Sequence, residues 1–367
     1  MQTQFFKKPI LRVFLLMFLS AFLCGCSRTG QAAPFVPASD GSNYLQTASR
    51  LIDADGISEA AAAAPPVRNV FSALSVPTWV TRCDGIWFLV DCYHNLILYS
   101  EDIGTPLTDW FIFSSDVTQA HTLASDGTVY LTDDTENNRV LVYEKVPGER
   151  DGAPCTFVNS QVFWNIGSRP HYTVYDERTR TFYVWSSLTG ELYLFRRAEG
   201  TSDVCLTEIR RVEKLDGIYV RSFTIVNDTI YFVSGVPSEK NPDYHPAILC
   251  CDLATLHIRE EYPVPDSIAG MTQLVPVPSG GWIVSVSTDA AGSQDAATLL
   301  RVDRLRDLTE GKQEEIYSRF FQGGGTPYYI SRVDDDWFLT EHRLKDHAVW
   351  RFRPDGRSGI SDVEALY

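Results

Sequence analysis

The chain has 367 residues, of which 44% are hydrophobic and 22% charged, and its formal net charge is −15 at pH 7. This length is enough for one large domain or two medium ones with a sizeable core. An acidic surface repels the phosphate backbone of nucleic acids, and no basic run in the sequence offsets it. We therefore expect no nucleic-acid partner.

The N-terminal segment has the features of an export signal. Basic residues precede an apolar core at 13–23, which is shorter than the roughly 20 residues that a membrane-spanning helix needs. The basic residues are Lys7, Lys8 and Arg12. The core ends in the sequence LCGC, whose last residue is Cys26. This motif resembles the lipobox of bacterial lipoproteins, in which a branched apolar residue and a small residue precede an invariant cysteine.

The resemblance implies that Cys26 receives a diacylglyceryl group and becomes the N-terminus of the mature protein. The protein would then be extracytoplasmic and lipid-anchored to the bacterial cell membrane. An ordinary secretory signal, or an anchor that is not cleaved, is the alternative. We divide the chain into a lipoprotein signal peptide at 1–25, a flexible tether rich in Ser, Gly, Ala and Pro at 26–66, and a folded domain at 67–367.

The folded domain is built from a repeated unit of short aromatic and β-branched runs separated by turn residues. The central run recurs as GIWFLVD (85–91), GTVYLTD (127–133), RTFYVWS (180–186), DTIYFVS (228–234), GGWIVSV (280–286) and DDWFLTE (335–341). Another apolar run precedes each copy and one or two follow it, at a spacing typical of a propeller blade. We predict an all-β fold, a six-bladed β-propeller of four-stranded antiparallel blades. A seven-bladed ring with one degenerate blade is the less favoured alternative.

The sixth unit lacks an obvious fourth strand, so another segment has to complete the last blade. The segment 69–77 resembles 161–170, where a fourth strand leads into the next unit. We therefore predict that the propeller is closed by an N-terminal strand, residues 68–74. Residues 359–367 are the competing choice.

The stretch DDTENNRVLVYE at 133–144 concentrates acidic and amide side chains before an apolar run. Its part DTENNRV, from Asp134 to Val140, resembles the blade motif of NHL-repeat propellers, and residues 91–97 carry a weaker copy. A calcium loop is the alternative, but the glycine and the distal glutamate that such a loop needs are missing. We predict a turn whose Asp and Asn side chains bind main-chain amides and whose arginine pairs with a carboxylate.

Propeller ligands usually meet the mouth of the central channel, which is lined by the first strand of each blade. Aligning the first strands brings six side chains to one level, namely Thr78, His121, His171, Arg221, Thr272 and Tyr328. Our candidate ligand-binding residues are His121, His171, Arg221 and Tyr328, because imidazoles bind metals or move protons and arginine holds carboxylate or phosphate. The opposing interpretation is a water-filled channel whose polar lining needs no ligand.

The sequence contains no nucleophile elbow, zinc-protease motif or phosphate loop. Two histidines fall short of the three or four ligands of a zinc site, so we predict no metal and no cofactor. The expected function is that of a membrane-anchored binding module for a small anionic or peptide-like ligand, or for an envelope protein. The alternative is a lyase or hydrolase similar to those built on NHL propellers, with its site at the channel mouth.

Overall fold

The computed structural model describes residues 46–47, 49–50, 65–236, 238, 240–322, 325–342, 348–355 and 360–367. The predicted signal peptide, Cys26 and almost all of the predicted tether lie outside these residues.

The described chain forms six antiparallel sheets, each built around four consecutive strands. Blade one contains Pro77–Cys83, Ile86–Asp91, Leu96–Ser100 and Phe111–Ser114. Blade two contains Leu123–Ser125, Val129–Asp134, Arg139–Arg150 and Ala153–Trp164. Blade three contains Pro170–Asp176, Thr181–Ser186, Glu191–Arg197 and Val204–Arg211. These three blades follow the predicted runs closely.

The second half of the chain repeats the pattern. Blade four contains Phe223–Val226, Thr229–Val233, Ala247–Asp252 and Ile258–Pro263. Blade five contains Gly270–Pro276, Trp282–Thr288, Thr298–Val302 and Glu314–Glu315. Blade six contains Thr326–Val333, Asp336–His342, Val349–Arg353 and Ser361–Ala365. First strands of neighbouring blades lie side by side, and the first strand of blade six contacts that of blade one. The ring is a six-bladed β-propeller, which confirms the predicted fold class.

The remaining elements are short. Gln46–Thr47 and Ser49–Arg50 lie antiparallel to the outer strands of blades three and two, respectively. The α-helical turns are Arg306–Thr309 and Tyr317–Phe320. The 3-10 turns are Cys92–His94, Leu107–Asp109, Thr135–Asn137, Glu213–Leu215, Asp266–Ile268 and Gln294–Ala296. Within the part of the chain that the structure describes, no helix has the length and apolar composition of a membrane span.

Apolar side chains fill the space between neighbouring blades. The inner strands are covered on both faces, so every residue of Val129–Asp134 and of Thr181–Ser186 is buried. Between blades one and two, the ring centroids of Phe88, Phe113 and Tyr130 lie 5.4 to 6.0 Å apart. Burial on both faces explains why the second strands read as continuous apolar runs and do not alternate with polar residues.

A belt of hydrogen bonds joins each blade to the next near the channel. In each case a side chain donates to a main-chain carbonyl oxygen at or just before the first strand of the next blade. The bonds are Thr78 to His121 (2.8 Å), Thr135 to Pro170 (2.7 Å), Trp185 to Val220 (3.1 Å), Ser222 to Thr272 (2.6 Å), Thr272 to Tyr328 (2.8 Å) and Thr340 to Thr78 (3.0 Å). All six donors are buried, so losing an acceptor would leave an unpaired polar group. This inter-blade belt sets the relative height of the first strands.

The ring is closed by the C-terminal segment and not by the N-terminal one. Ser361–Ala365 is the outer strand of blade six and pairs antiparallel with Val349–Arg353. Arg68 instead bridges Phe111 at the outer edge of blade one, so the predicted role of residues 68–74 is wrong. A segment that follows the third strand directly closes a shorter loop than one from the far end of the chain, and its pairing therefore costs less entropy.

The last residue of the chain fastens blade six to blade one. The Tyr367 hydroxyl donates to the main-chain carbonyl of Thr105 at 2.7 Å and accepts the indole N–H of Trp110 at 3.1 Å. The Trp110 side chain is completely buried in blade one. We call these contacts the C-terminal latch.

The acidic stretch of blade two forms a turn held by its own side chains. The Asp134 carboxylate accepts the main-chain N–H of Thr118 at 2.7 Å and the side-chain amide of Asn137 at 2.9 Å. It also pairs with the Arg139 guanidinium, which reaches Asp116 in the preceding loop at 3.0 Å. The arginine therefore pairs with carboxylates as predicted, and its positive charge compensates the negative charge of Asp134.

Two asparagines in equivalent turns of blades one and two make the same kind of hydrogen bond. Asn95 and Asn138 both adopt the left-handed backbone region, with φ of 57° and 51°. Their side-chain oxygens accept the main-chain N–H of Gln119 at 3.0 Å and of Arg169 at 2.8 Å. Asparagine suits this position because it tolerates positive φ and carries a short acceptor. Each asparagine thereby ties a turn to the loop that enters the next blade.

Candidate functional site

A bulge at the start of the first strand places side chains at the channel. In blades one, three and five, the pairing with the second strand skips Thr78, His171 and Thr272, respectively. In blade six it skips both Tyr328 and Tyr329. A β-bulge leaves its extra residue out of the ladder and re-aims the side chain, which is common beside functional sites. Four of the six residues predicted to share one level lie in these bulges.

The structure brings the four predicted site residues together. The rings of His121 and His171 stack with their centroids 3.6 Å apart, and the Tyr328 ring lies 6.1 Å and 6.4 Å from them. Arg221 joins them through Tyr219, because its guanidinium lies 4.9 Å from the Tyr219 ring centre and the Tyr219 hydroxyl hydrogen-bonds to His171. Blades three and six stand opposite each other, so the proximity of His171 and Tyr328 means that side chains fill the channel here.

The hydrogen bonds of His171 fix which ring nitrogen carries its proton. The Tyr329 hydroxyl donates to the main-chain carbonyl of Arg221 at 2.8 Å, so its oxygen accepts from His171 Nδ1 at 2.9 Å. With Nδ1 protonated, Nε2 is the acceptor. It receives the Tyr219 hydroxyl at 2.9 Å, while the Tyr328 hydroxyl lies 3.3 Å away. His171 is thus a hydrogen-bond acceptor toward the mouth.

His121 is held in the same way by residues of blade two. The fully buried Asp133 accepts the main-chain N–H of His121 at 2.7 Å. Thr135 donates its hydroxyl proton to the Pro170 carbonyl, so its oxygen accepts from His121 Nδ1 at 3.0 Å. The Nε2 atom of His121 is then an acceptor, and it lies 3.8 Å from the Cys92 sulfur.

The order Cys92, His121, Asp133 matches the arrangement of a cysteine nucleophile with its base and orienting acid. Burial raises the pKa of the Cys92 thiol well above its ordinary value, and the negative charge of Asp133 adds to this effect. Because the thiolate is the reactive form, a thiol that stays protonated is a poor nucleophile. Cys92 therefore acts as a buried apolar residue that donates weakly to His121.

Both imidazoles are neutral. Burial lowers the pKa of His121, and it lowers the pKa of His171 well below the ordinary value, where the charges of Arg221 and Arg169 act in the same direction. Neutral imidazole is the form that binds metals. Among the described residues, however, no group of three or more metal-ligating side chains comes together. The pair alone would supply two ligands.

Two guanidinium groups flank Tyr219 at the rim of the mouth. The Arg169 guanidinium lies 6.0 Å from the Tyr219 ring centre and pairs with Glu136. Arg221 lies closer to the ring and forms no salt bridge with any residue that the structure describes. Tyr219 and Arg221 are half-buried, so solvent reaches both. The mouth thus offers an uncompensated positive charge beside an aromatic face, which suits a carboxylate or phosphate group.

Sequence reasoning missed several residues of the mouth. Tyr219 lies in the loop before blade four, and Tyr329 is the second residue of the blade-six bulge. The sequence pattern assigned Asp133 only to the turn at 133–144, and it gave no role to Cys92. The pair Tyr328-Tyr329 could have indicated the bulge in blade six. Consecutive residues of a regular strand point to opposite faces, so two adjacent aromatics face the same side only where a bulge interrupts the strand.

Three aromatic rings fill the channel below the mouth. Trp79 of blade one meets the edges of Tyr172 and Tyr329 with centroid distances of 5.8 Å and 6.2 Å. Tyr172 and Tyr329 belong to opposite blades, and their centroids are 5.1 Å apart. We call these three rings the aromatic plug. The aromatic plug therefore closes the inner end of the mouth and separates it from the far end of the channel.

The fold is shared with known propellers, whereas the sequence is not. No protein-family model matches the chain, and no curated protein matches it in sequence. A proposed 6-phosphogluconolactonase from Bacteroides uniformis has a TM-score of 0.54 and 9% identity over 80% of this chain and 87% of that chain. A second one, from Bacteroides fragilis, has a TM-score of 0.53 and 12% identity over 79% and 84%. A streptogramin B lyase structure has a TM-score of 0.49 and 13% identity over 82% and 86%. At these identities the similarity shows the propeller fold alone.

Proposed function

We propose that this protein is an extracytoplasmic bacterial lipoprotein whose propeller binds a small anionic ligand at the channel mouth. The anchor is supported by the lipobox-like sequence that ends at Cys26. One observation carries the binding role: the Arg221 guanidinium has no carboxylate partner among the described residues. The chain has 47 acidic and 32 basic side chains, so carboxylates are in excess. An arginine left unpaired in such a protein is available for an external anion.

The neighbours of Arg221 supply the rest of the recognition. Its planar guanidinium presents paired N–H donors that match the two oxygens of a carboxylate. The Tyr219 ring beneath it gives an apolar face, and the stacked neutral imidazoles add no negative charge that would repel the ligand. A compact carboxylate with a short amide or apolar body fits this combination.

The test uses N-acetylglycine and its neutral amide as a matched pair of probes, with binding measured by calorimetry. We expect the carboxylate to bind more tightly, since a hydrogen-bonded charge pair is worth about 1.5–3 kcal/mol. Arg221→Ala should weaken its binding by about tenfold or more. Arg178→Ala is the control, because that exposed arginine pairs with Asp228 in blade four. Equal affinity for the two probes, or an Arg221→Ala variant that binds normally, would contradict the proposal.

The lipid anchor has a separate test in Cys26→Ser. This variant lacks the thiol that would carry the diacylglyceryl group, so we expect it in the soluble fraction when cells are lysed and membranes are sedimented. The unchanged protein should sediment with the membranes. A variant that stays with the membranes would show that another segment anchors the chain.

A second candidate function is that of a lyase or hydrolase at the same mouth. The observation that favours it is the hydrogen bond from the Tyr219 hydroxyl to His171 Nε2, since such a pair can pass a proton to or from a ligand. Elemental analysis of purified protein separates the two functions. Stoichiometric zinc or calcium that is lost on combining His121→Ala with His171→Ala would favour the enzyme.

A further inference from the structure

A cavity lined by arginines lies between blades two and three, on the face of the propeller opposite the mouth. The first strand of blade three, Pro170–Asp176, begins at the mouth with His171, so the hairpin that follows this strand lies at the other face. The cavity has a volume of about 290 Å³. Its lining includes Arg180, Arg196, Arg197, Tyr175, Asp126 and Glu199. We call it the arginine cavity.

One of the three arginines is already paired within the protein. The Nε of Arg197 donates to the Asp126 carboxylate at 2.6 Å, and another N–H of the same guanidinium donates to the main-chain carbonyl of Thr201 at 2.8 Å. The second oxygen of Asp126 accepts the main-chain N–H groups of Thr128 and Val129. The charges of Arg197 and Asp126 therefore compensate each other in the wall of the cavity.

The other two arginines have no carboxylate partner among the described residues. Arg180 is exposed in the hairpin and forms no hydrogen bond or salt bridge with any residue that the structure describes. Arg196 donates from Nε to the Thr181 hydroxyl at 3.0 Å, which leaves its two terminal amino groups without a described partner. On the neighbouring strand, both carboxylate oxygens of Glu208 accept from Arg210, each at 2.7 Å. Glu208 is therefore not paired with Arg196.

The charges that remain suit a phosphate group. Three arginines face two acidic residues across the cavity, a surplus of one positive charge in a chain whose net charge is −15. Guanidinium groups bind phosphate oxygens through paired N–H donors. A phosphate monoester has three terminal oxygens and nearly two negative charges at pH 7, so it pairs with two guanidiniums better than one carboxylate does. The half-buried Tyr175 offers its ring to the organic part of such a ligand.

The N-terminal segment joins the propeller beside the arginine cavity. Thr47 pairs with Cys205, and Cys205 pairs with Arg196, so Thr47 lies two strands, or about 10 Å, from Arg196. Blade three is thus joined to the segment that leads back to Cys26. If Cys26 carries a lipid, which rests on the function proposed above, a phospholipid headgroup is one source of the phosphate group. A soluble phosphate ester is the other source.

We propose that the arginine cavity is a second binding site, which takes the phosphate group of an organic phosphate. Arg180 and Arg196 hold the phosphate oxygens, Arg197 stays paired with Asp126, and the organic part of the ligand lies against Tyr175. The site is independent of the anion site at the mouth, because the two lie on opposite faces of the propeller.

The first experiment compares phenyl phosphate with benzoate by proton NMR titration. The two probes share an aromatic ring and differ in the anionic group. Both titrations use the Arg221→Ala variant, so that the positive charge at the mouth does not contribute. We expect phenyl phosphate to bind about fivefold to tenfold more tightly, and its affinity to fall as salt is added, because salt screens exposed charges. Absence of phenyl phosphate binding, or equal affinities for the two probes, would overturn the proposal.

The second experiment adds substitutions in the cavity. Arg180→Ala and Arg196→Ala should each weaken phenyl phosphate binding by about fivefold or more, because each removes a charged donor. Arg178→Ala is the matched control and should change the affinity by less than about twofold, since Arg178 lies in the same hairpin but pairs with Asp228. Glu199→Gln should strengthen binding by removing a negative charge. Equal losses in Arg178→Ala and Arg196→Ala would show that only the general surface charge matters, which contradicts the proposal.

A third measurement separates the two sources of the phosphate group. Dihexanoylphosphatidylglycerol is a short-chain lipid that is monomeric below its micelle concentration. If it competes with phenyl phosphate, the cavity accepts a lipid headgroup, and if phenyl phosphate alone binds, the ligand is a soluble ester. Either result supports the proposal, whereas binding of neither probe overturns it. These titrations do not depend on the lipid anchor, so a failure of the Cys26→Ser test would leave them standing.

Discussion

The buried carboxyl of Glu341 should make the stability of the protein depend on pH in a way that one substitution removes. Glu341 ends the second strand of blade six and is 0% exposed. The Trp350 indole N–H donates to its Oε2 at 3.0 Å, and the neighbouring Tyr317 hydroxyl also acts to lower its pKa. Burial raises the pKa of Glu341 from 4.5 to about 7, since these contacts offset only part of the lost hydration.

The magnitude follows from the linkage between protonation and folding. The folded state holds this proton more tightly than the unfolded state, so the contribution of Glu341 to stability is full below pH 4.5 and is lost as the pH rises toward about 7. At about 1.4 kcal/mol per pKa unit, the loss amounts to roughly 3 kcal/mol. Glu341→Gln keeps the shape and an acceptor for Trp350 but cannot ionise. The stability difference between the variant and the unchanged protein should therefore grow by about 3 kcal/mol between pH 4.5 and pH 8.

Urea unfolding followed by tryptophan fluorescence at a series of pH values measures this difference. Comparing the two proteins at each pH is necessary, because the lowered pKa values of His121 and His171 act on stability in the opposite direction. Glu364→Gln is the control, since Glu364 lies exposed on the outer strand of the same blade. A Glu341→Gln difference that stays constant within about 0.5 kcal/mol from pH 5 to pH 8 would refute the reasoning.

Three further outcomes are expected. Tyr367→Phe should lower the free energy of unfolding by about 1 kcal/mol, because it removes the latch hydroxyl, and urea unfolding measures this. Arg139→Ala should cost about 3 kcal/mol in the same assay, because it leaves the buried Asp134 carboxylate unpaired, whereas Arg178→Ala, which breaks an exposed pair, should cost under about 1 kcal/mol. Cys92 should resist iodoacetamide at pH 8 in the folded protein and react once urea unfolds it, as read by peptide mass spectrometry; labelling of the folded protein would contradict the raised thiol pKa.

The blade pattern was accessible from the sequence because each blade buries its inner strands in the same way. The predicted central runs at 85–91 and 180–186 contain the second strands Ile86–Asp91 and Thr181–Ser186. The strand that closes the ring could not be predicted from the sequence. The segment 69–77 resembles 161–170 because both precede the first strand of a blade. This similarity does not indicate which outer strand the segment pairs with. Edge pairing depends on loop length and on the latch at Tyr367, which no local pattern shows.

Only part of the candidate site could be predicted from the sequence. Aligning the blades placed six residues at one level, and the structure brings the four candidates among them, His121, His171, Arg221 and Tyr328, into one cluster. Tyr219 was out of reach because it lies in a loop of irregular length, where a strand alignment has no register. The salt bridges at the mouth could not be predicted either. Pairs such as Arg169 and Glu136 join segments that do not occupy equivalent positions in the blade repeat.

The meeting of blades three and six across the channel also restricts how this protein can change over evolutionary time. In a repeat fold each unit packs mainly on its neighbours, so adding or removing one unit would disturb few other contacts. Here His171 and Tyr172 of blade three touch Tyr329 of blade six, and such contact requires the two blades to be diametrically opposed. Duplicating one blade would widen the channel and move the pair off the diameter, so the blade number and the mouth must be inherited together.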